Sequence, residues 1–431
     1  MLMNVQSGEF SEPRLLHSPG FIQLCINVSP KSNEKSILSC GNDGDLWIWN
    51  SDELDDAEYD PRRISNRTHN AIAWTNSKVY IGYSSVDPRT GIEKPVVSEF
   101  LYDDFSSPTM LASFSLDVTS VDVSVSGGFV AAGALDHIVK IINPETLNYC
   151  RIECDGQILC VRIDPKEELL AVATTAGDVL LYPLQTNETT DSVCAAHICS
   201  RIPDIDVTRT RMQIVWSKQG EYLFVPAVGG VQVLSRTSLQ LKSTLKSDSN
   251  PNGAYSVCCI SMDGKHLAAS DLSGTIVVWN TETENVLSIS YYKRNGATKV
   301  ISSMLWHPVL SGTLFFSDTE EHICSLKNCA KEIDKSTEPI CHSRRAFMDD
   351  EDDEDTRQSV DIGAIKRSYG FDEEGRFSPE IINGPSVGVP VTNFIEKIEH
   401  YRPPTVPKPF VSGSSPSHLS QRYLVLIPYF I

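Results

Sequence analysis

Three loose cysteine pairs are the first places where spacing hints at chemistry: Cys150 with Cys154, Cys194 with Cys199, and Cys324 with Cys329, with His197 inside the second. Zinc sites are usually built from closer, doubled pairs. None of these is a CxxC and none is doubled, so the spacing argues against a metal. Asp136 and His137 adjoin, an acid beside an imidazole. A catalytic dyad would also need a nucleophile brought near by the fold. At a turn, an Asp more commonly orients backbone amides. The sequence contains no Gly-rich phosphate loop ending in Gly-Lys-Ser/Thr, no GxSxG and no HExxH. These observations imply no enzyme and no cofactor.

Charge offers other candidates. Asp349, Asp350, Glu351, Asp352, Asp353, Glu354 and Asp355 form an unbroken acidic run. Such a run repels itself and cannot enter a core. It reads either as a phosphate mimic that docks on basic partners such as histones, or as a solvated spacer. Arg344, Arg345, Lys366 and Arg367 flank it but are too sparse for an import signal. Arg62, Arg63 and Arg67 offer a local basic face for nucleic acid. The whole chain carries a net charge of −19, which opposes bulk attraction to a phosphate backbone or an anionic membrane.

What must position these residues is a repeat. Residues 22–49 read IQLCINVSP, SILSCGNDG, DLWIWN; residues 257–280 read VCCISMDG, KHLAASDLSG, TIVVWN. Further copies lie at 71–83 (divergent), 120–143, 158–182, 212–234 and 301–326. From Ile142, the ends of successive copies at Tyr182, Leu234, Trp279 and Leu326 fall 40 to 52 residues apart. Four short strands at a period near 40–45 residues predict an all-β fold, a seven-bladed WD-type β-propeller. Asp43, Asp136, Ser273 and Gly274 fall at the hairpin turns of the blades, where Asp, Ser and Gly favour a tight reversal. Small residues such as Ala131, Ala132 and Gly133 mark a strand that packs tightly near the axis. The segment from about Gly8 to Ser18 is expected to close the ring by adding the outermost strand to the last blade.

The expected domains are 1–335, the propeller; 336–407, an acidic disordered linker; and 408–431, the start of a further domain that the chain breaks off. Residues 402–416 are Pro- and Ser-rich, as an extended connector would be. No apolar run approaches the roughly 20 residues of a membrane helix, and the N-terminus lacks a signal-peptide pattern. Nucleus or cytosol is expected, with the 12 cysteines reduced.

Three stretches carry a family resemblance. CGNDGDLWIWN at the end of the first blade is similar to CGSDGDVRIW, and AAGALDHIVKI at 131–141 to AAGSSDFLVKI. SVDIGAIK at 359–366 and KPFVSGSSPSHLSQRYLV at 408–425 resemble SVDISMLK and KPFQSGSTPxHLTHRFMVWN. These are features of the replisome adaptors known as acidic nucleoplasmic DNA-binding protein in animals and chromosome transmission fidelity factor in yeast. After Val425 the chain departs from them. The resemblance implies a non-enzymatic scaffold in DNA replication and chromosome maintenance, located in the nucleoplasm and on chromatin. Family partners are DNA polymerase α and the helicase-associated GINS complex. The regions that bind them, the trimerising middle propeller and the animal HMG box are not in this sequence, so trimerisation is not expected from it. The competing reading is a WD-repeat module for substrate recognition or chromatin reading in an unrelated complex.

Overall fold

A computed structural model of the chain describes residues 9–11, 14–15, 22–26, 36–41, 45–50, 62–66, 69–75, 78–86, 89–185, 194–197, 212–307, 312–320 and 322–330. The chain divides into a unit of Met1–Pro339 and a unit of Ile340–Ile431. The described residues all belong to the first. They contain no helix and form seven antiparallel blades.

Blade 1 holds the strands Ile22–Ile26, Ser36–Gly41, Asp45–Asn50 and Arg62–Asn66. Blade 2 holds His69–Thr75, Lys78–Val86, Glu93–Leu101 and Asp104–Ser113; blade 3 holds Val118–Val123, Val130–Ala134, Ile138–Ile142 and Tyr149–Glu153. Blade 4 has the strands Ile158–Ile163, Leu169–Thr174, Asp178–Pro183 and Cys194–His197, and blade 5 has Val215–Trp216, Tyr222–Ala227, Gly230–Ser235 and Leu241–Leu245. Blade 6 comprises Tyr255–Ile260, His266–Asp271, Thr275–Asn280 and Val286–Tyr291; blade 7 comprises Ile301–Trp306, Leu314–Asp318 and His322–Lys327.

The expected closure is present. Glu9–Phe10 and Arg14–Leu15 both pair with the last strand of blade 7, Glu9 opposite Lys327 and Leu15 opposite His322. Ser11 fixes the register between them: its N–H donates to the Ser325 carbonyl, and its Oγ accepts from the Ser325 N–H, each at 2.9 Å. Phe10 then packs against Tyr292 and Phe316.

A single blade cannot bury both faces of its sheet, so neighbours must do it. The described residues show one hydrophobic cluster at each of the seven junctions. The junction of blades 1 and 2 gathers Leu38, Ile48, Ile81 and Val96; that of blades 6 and 7 gathers Val278, Met304, Phe316 and Cys324. Ile37 and Trp49 of blade 1 meet Leu305 and Phe315 of blade 7, which closes the circle.

The innermost place belongs to the first strand of each blade, since first strands neighbour one another around the ring. The small-residue strand stands second. Its smallness serves the junction: an added Cβ at Gly133 would lie 2.3 Å from Ile158 of the next blade. Side chains also stitch first strands together. Val161 N–H donates to Ser120 Oγ at 3.1 Å, and Ile163 N–H to Asp122 Oδ2 at 2.7 Å. Trp216 reaches back to the Arg162 carbonyl and Trp306 to the Cys259 carbonyl, at 3.0 and 3.1 Å.

Candidate interaction surface

Each blade is an up-and-down meander, so its turns emerge at two ends. The first and third turns share one face of the ring. The second turn and the connection to the next blade share the other.

On the face of first and third turns, polar residues hold the turns and then the blades. Ser124, Asp164, Ser217 and Ser261 each begin a first turn and accept amide N–H groups from its far side, at 2.7 to 3.0 Å. Across blades, Glu167 accepts from the Ser126 N–H and Oγ at 2.5 and 2.6 Å, and Lys166 pairs with Glu221 at 2.5 Å. Arg236, from the third turn of blade 5, reaches the fully buried Asp164 at 2.7 Å and Glu168 at 2.6 Å.

The opposite face carries the turn residues that the sequence pattern marks. Asp136 Oδ2 accepts from the Ser115 N–H at 2.7 Å and its Oδ1 from the Ile138 N–H at 3.2 Å, which fastens the second turn of blade 3 to the connection entering that blade. His137 adopts φ 68°, the left-handed region that Gly274 occupies at the same place in blade 6. In blade 6 the Ser273 N–H and Oγ donate to Asp271 Oδ1 at 2.9 and 2.7 Å, and Asn250 bonds the other oxygen of Asp271. Gly274 needs its missing side chain twice over: its φ is +78°, and a Cβ would lie 2.4 Å from the Lys299 carbonyl. Asp43 and the acidic run 349–355 lie outside the described residues.

The cysteines do not gather. Cys150 is buried between blades 3 and 4, with Cys154 half-buried beside it. Cys324 and Cys329 are buried between blades 6 and 7, and burial pushes both thiols up to about 12, so they stay protonated. Of Cys194 and His197 only the backbone is described, and Cys199 is outside. Among the described residues no three His, Cys, Asp or Glu side chains come together as a metal site. Arg62 and Arg63 lie exposed on the outer strand of blade 1, with the Arg63 guanidinium 5.8 Å from the centre of the Trp47 ring. Arg67 is outside the described residues.

Two features of the second face escape a reading by motif. The first is a small hairpin between blades 6 and 7, Lys293–Arg294 paired with Ala297–Thr298. Arg294 pins it to the buried Asp318 at 3.4 Å and to Glu320 at 2.8 Å, and Lys299 adds a 2.6 Å contact to Glu320. Burial pushes the Asp318 carboxyl up, against amide N–H bonds, the Tyr292 hydroxyl and Arg294, which favour its charged form. The second is the ribbon of blade 2, whose middle strands run nine residues each, against five in the corresponding strands of blade 3. DPRTG between two alternating apolar runs was its local signal.

The architecture joins hydrogen-bonded turns on both faces to a closed ring. Known proteins resemble it in sequence. The chain is similar to WD repeat and HMG-box DNA-binding protein 1 of Homo sapiens, 24% identical over 95% of this chain and 39% of the relative. The Xenopus laevis protein of that name is 25% identical over 95% and 38%. Minichromosome loss protein 1 of Schizosaccharomyces pombe is 22% identical over 60% and 32%. The chain therefore spans about two fifths of the length of the animal relatives it matches. The family model described as the WDHD1 first WD40 domain matches residues 14–325, which take in nearly all of the ring, and the chain belongs to that family.

Proposed function

We propose that the chain is a non-enzymatic adaptor in DNA replication and chromosome maintenance, acting in the nucleus and on chromatin by docking other proteins on its propeller. The observation that carries this reading is the family match over the ring. The linker stretches at 359–366 and 408–425 support it, because a generic propeller has no need of them. DNA polymerase α and the GINS complex enter as partners of the assembly by resemblance. Residues 336–407 act in this reading as an acidic linker between the ring and residues 408–431. Asp43, Asp136, Ser273 and Gly274 serve as turn-forming residues, and the acidic run 349–355 as an interaction segment or spacer.

The test is the occupancy of the chain on chromatin through the cell cycle, read by fractionation of synchronised cells expressing residues 1–431. Enrichment in S phase, with replication or chromatin proteins among the proximity-labelled neighbours, is expected. An even distribution through the cycle, with no such proteins labelled, would overturn the reading.

A further inference from the structure

The blade 2 ribbon and the rim of blade 3 form a ledge. The ribbon stays paired to its end, with Val86 opposite Glu93. Its flanking strands stop earlier: His69 pairs with Tyr83 on one side, and Ser113 with Val96 on the other. The last two pairs of the ribbon therefore stand clear of the sheet, by about 7 Å at roughly 3.4 Å per residue. Side chains alternate along it. Gly82 faces blade 3, where a Cβ would meet Val118 at 2.6 Å. Val86, four residues on, shares that face and is 60% exposed. Leu116, in the connection into blade 3, is 50% exposed.

Wall and floor are continuous through backbone hydrogen bonds. Phe114 N–H donates to the Pro95 carbonyl, Leu135 N–H to that of Asp117, and Cys154 N–H to that of His137. This stretch carries Glu93, Asp117, Asp136 and Asp155, none of which has a cation within 4 Å among the described residues. Lys140 offsets Asp136 in part, and the other nearby cation is already engaged. Arg151 is taken by Glu153, and Lys140 is buried, donating to the Ser113 carbonyl at 2.7 Å between the rings of Phe114 and Tyr149. Lys94 and Arg89 are the exposed cations of the ribbon, against the exposed carboxylates Glu93, Asp117 and Asp155.

We infer that this ledge docks an extended basic peptide segment of a partner protein, with an aliphatic residue against Val86 and Leu116 and Lys or Arg side chains against Glu93, Asp117 and Asp155. Charge complementarity names the occupant. Exposed aliphatics on the opposite face, such as Val125, lie among charges already paired across blades. The inference rests on the adaptor reading only in giving it a class of partner.

Fluorescence anisotropy with the full chain tests it, using a labelled lysine-rich peptide that carries leucines and its counterpart with serine in their place. In near-physiological salt the leucine peptide binds and the serine peptide binds more weakly. The double variant Asp117→Lys/Asp155→Lys weakens binding about tenfold or more, since several screened charge contacts are reversed at once. Val86→Ser/Leu116→Ser weakens it about fivefold through lost apolar burial. Glu145→Lys/Glu282→Lys, a reversal on the opposite face, changes it less than about twofold. All these side chains are exposed, and unchanged melting temperatures confirm folding.

An equal loss from the opposite-face variant would reduce the effect to net charge and overturn the inference. So would equal binding of the serine peptide. Concentration-dependent dimerisation abolished by Val86→Ser/Leu116→Ser would assign the ledge to a second copy instead. If Asp117→Lys/Asp155→Lys keeps S-phase chromatin enrichment while peptide binding never depended on the ledge, the ledge fails and the adaptor reading stands.

Discussion

The two faces of the ring spend their charges differently. On the face of first and third turns, Arg236, Lys166 and Glu167 bind residues of neighbouring blades, so the charges hold the ring together. On the other face, Asp117 and Asp155 bind no cation among the described residues, and apolar Val86 and Leu116 stand exposed beside them. Asp136 and Asp271 tie second turns to neighbouring connections there, and Arg294 pins a hairpin, but among the described residues these contacts leave Asp117 and Asp155 uncommitted. A surface that must hold its own blades together has little left to offer a partner. A surface relieved of that task can vary, and the long ribbon of blade 2 grows from it.

The strongest test of this contrast is Arg236→Ala. It strands the buried Asp164 without its cation and is expected to cost about 3 kcal/mol, which lowers the melting temperature by roughly 6–10 °C. A calorimetric scan showing less than a degree of change would erase the distinction between the faces. A smaller effect is expected at the anchored hairpin. Lys299 and Arg294 hold the Glu320 carboxyl below its usual range. For an acid so lowered, the contribution is full above its ordinary value of 4.5 and fades as pH falls through the folded value. Amide exchange at Lys293–Thr298 should therefore rise, relative to the strands of blade 6, only as pH drops below that point. A rise confined to neutral pH would assign the anchoring to other groups. The smallest effect is expected from Asp117→Asn/Asp155→Asn, which should leave stability within about 0.5 kcal/mol. A larger loss would mean that these acids, too, hold the ring.

Repetition and turn chemistry made the ring legible in the sequence because both are local. The spacing of Tyr182, Leu234, Trp279 and Leu326 reflects one blade per period. Gly177 and Gly274 mark second turns because L residues resist their φ. His137 shows the limit of that rule, since it takes φ 68° without being glycine. Ring closure was legible because a ring must close and the segment from about Gly8 to Ser18 stands before the first copy. The partner of Arg236 was not, because Asp164 lies 72 residues away and meets it only once third and first turns of adjacent blades are side by side. The copy at 212–234 also promised a full first strand. Blade 5 keeps only Val215–Trp216, because Gln213 pairs in parallel with Val257 of blade 6 and turns its amide to Met304. Such preferences are settled between blades, where no single-copy pattern reaches.

Glu9 pairs with Lys327, so the first strand laid down by the ribosome waits for nearly the last residue of the ring. At roughly 5–20 residues per second, that wait is on the order of 15–60 s. During it, six complete blades can stack, yet the edge of the first blade and the aromatic side chain of Phe10 have no final partner. Nascent chains are thus most exposed to capture by chaperones late in synthesis, and the ring's birth is timed by its own length.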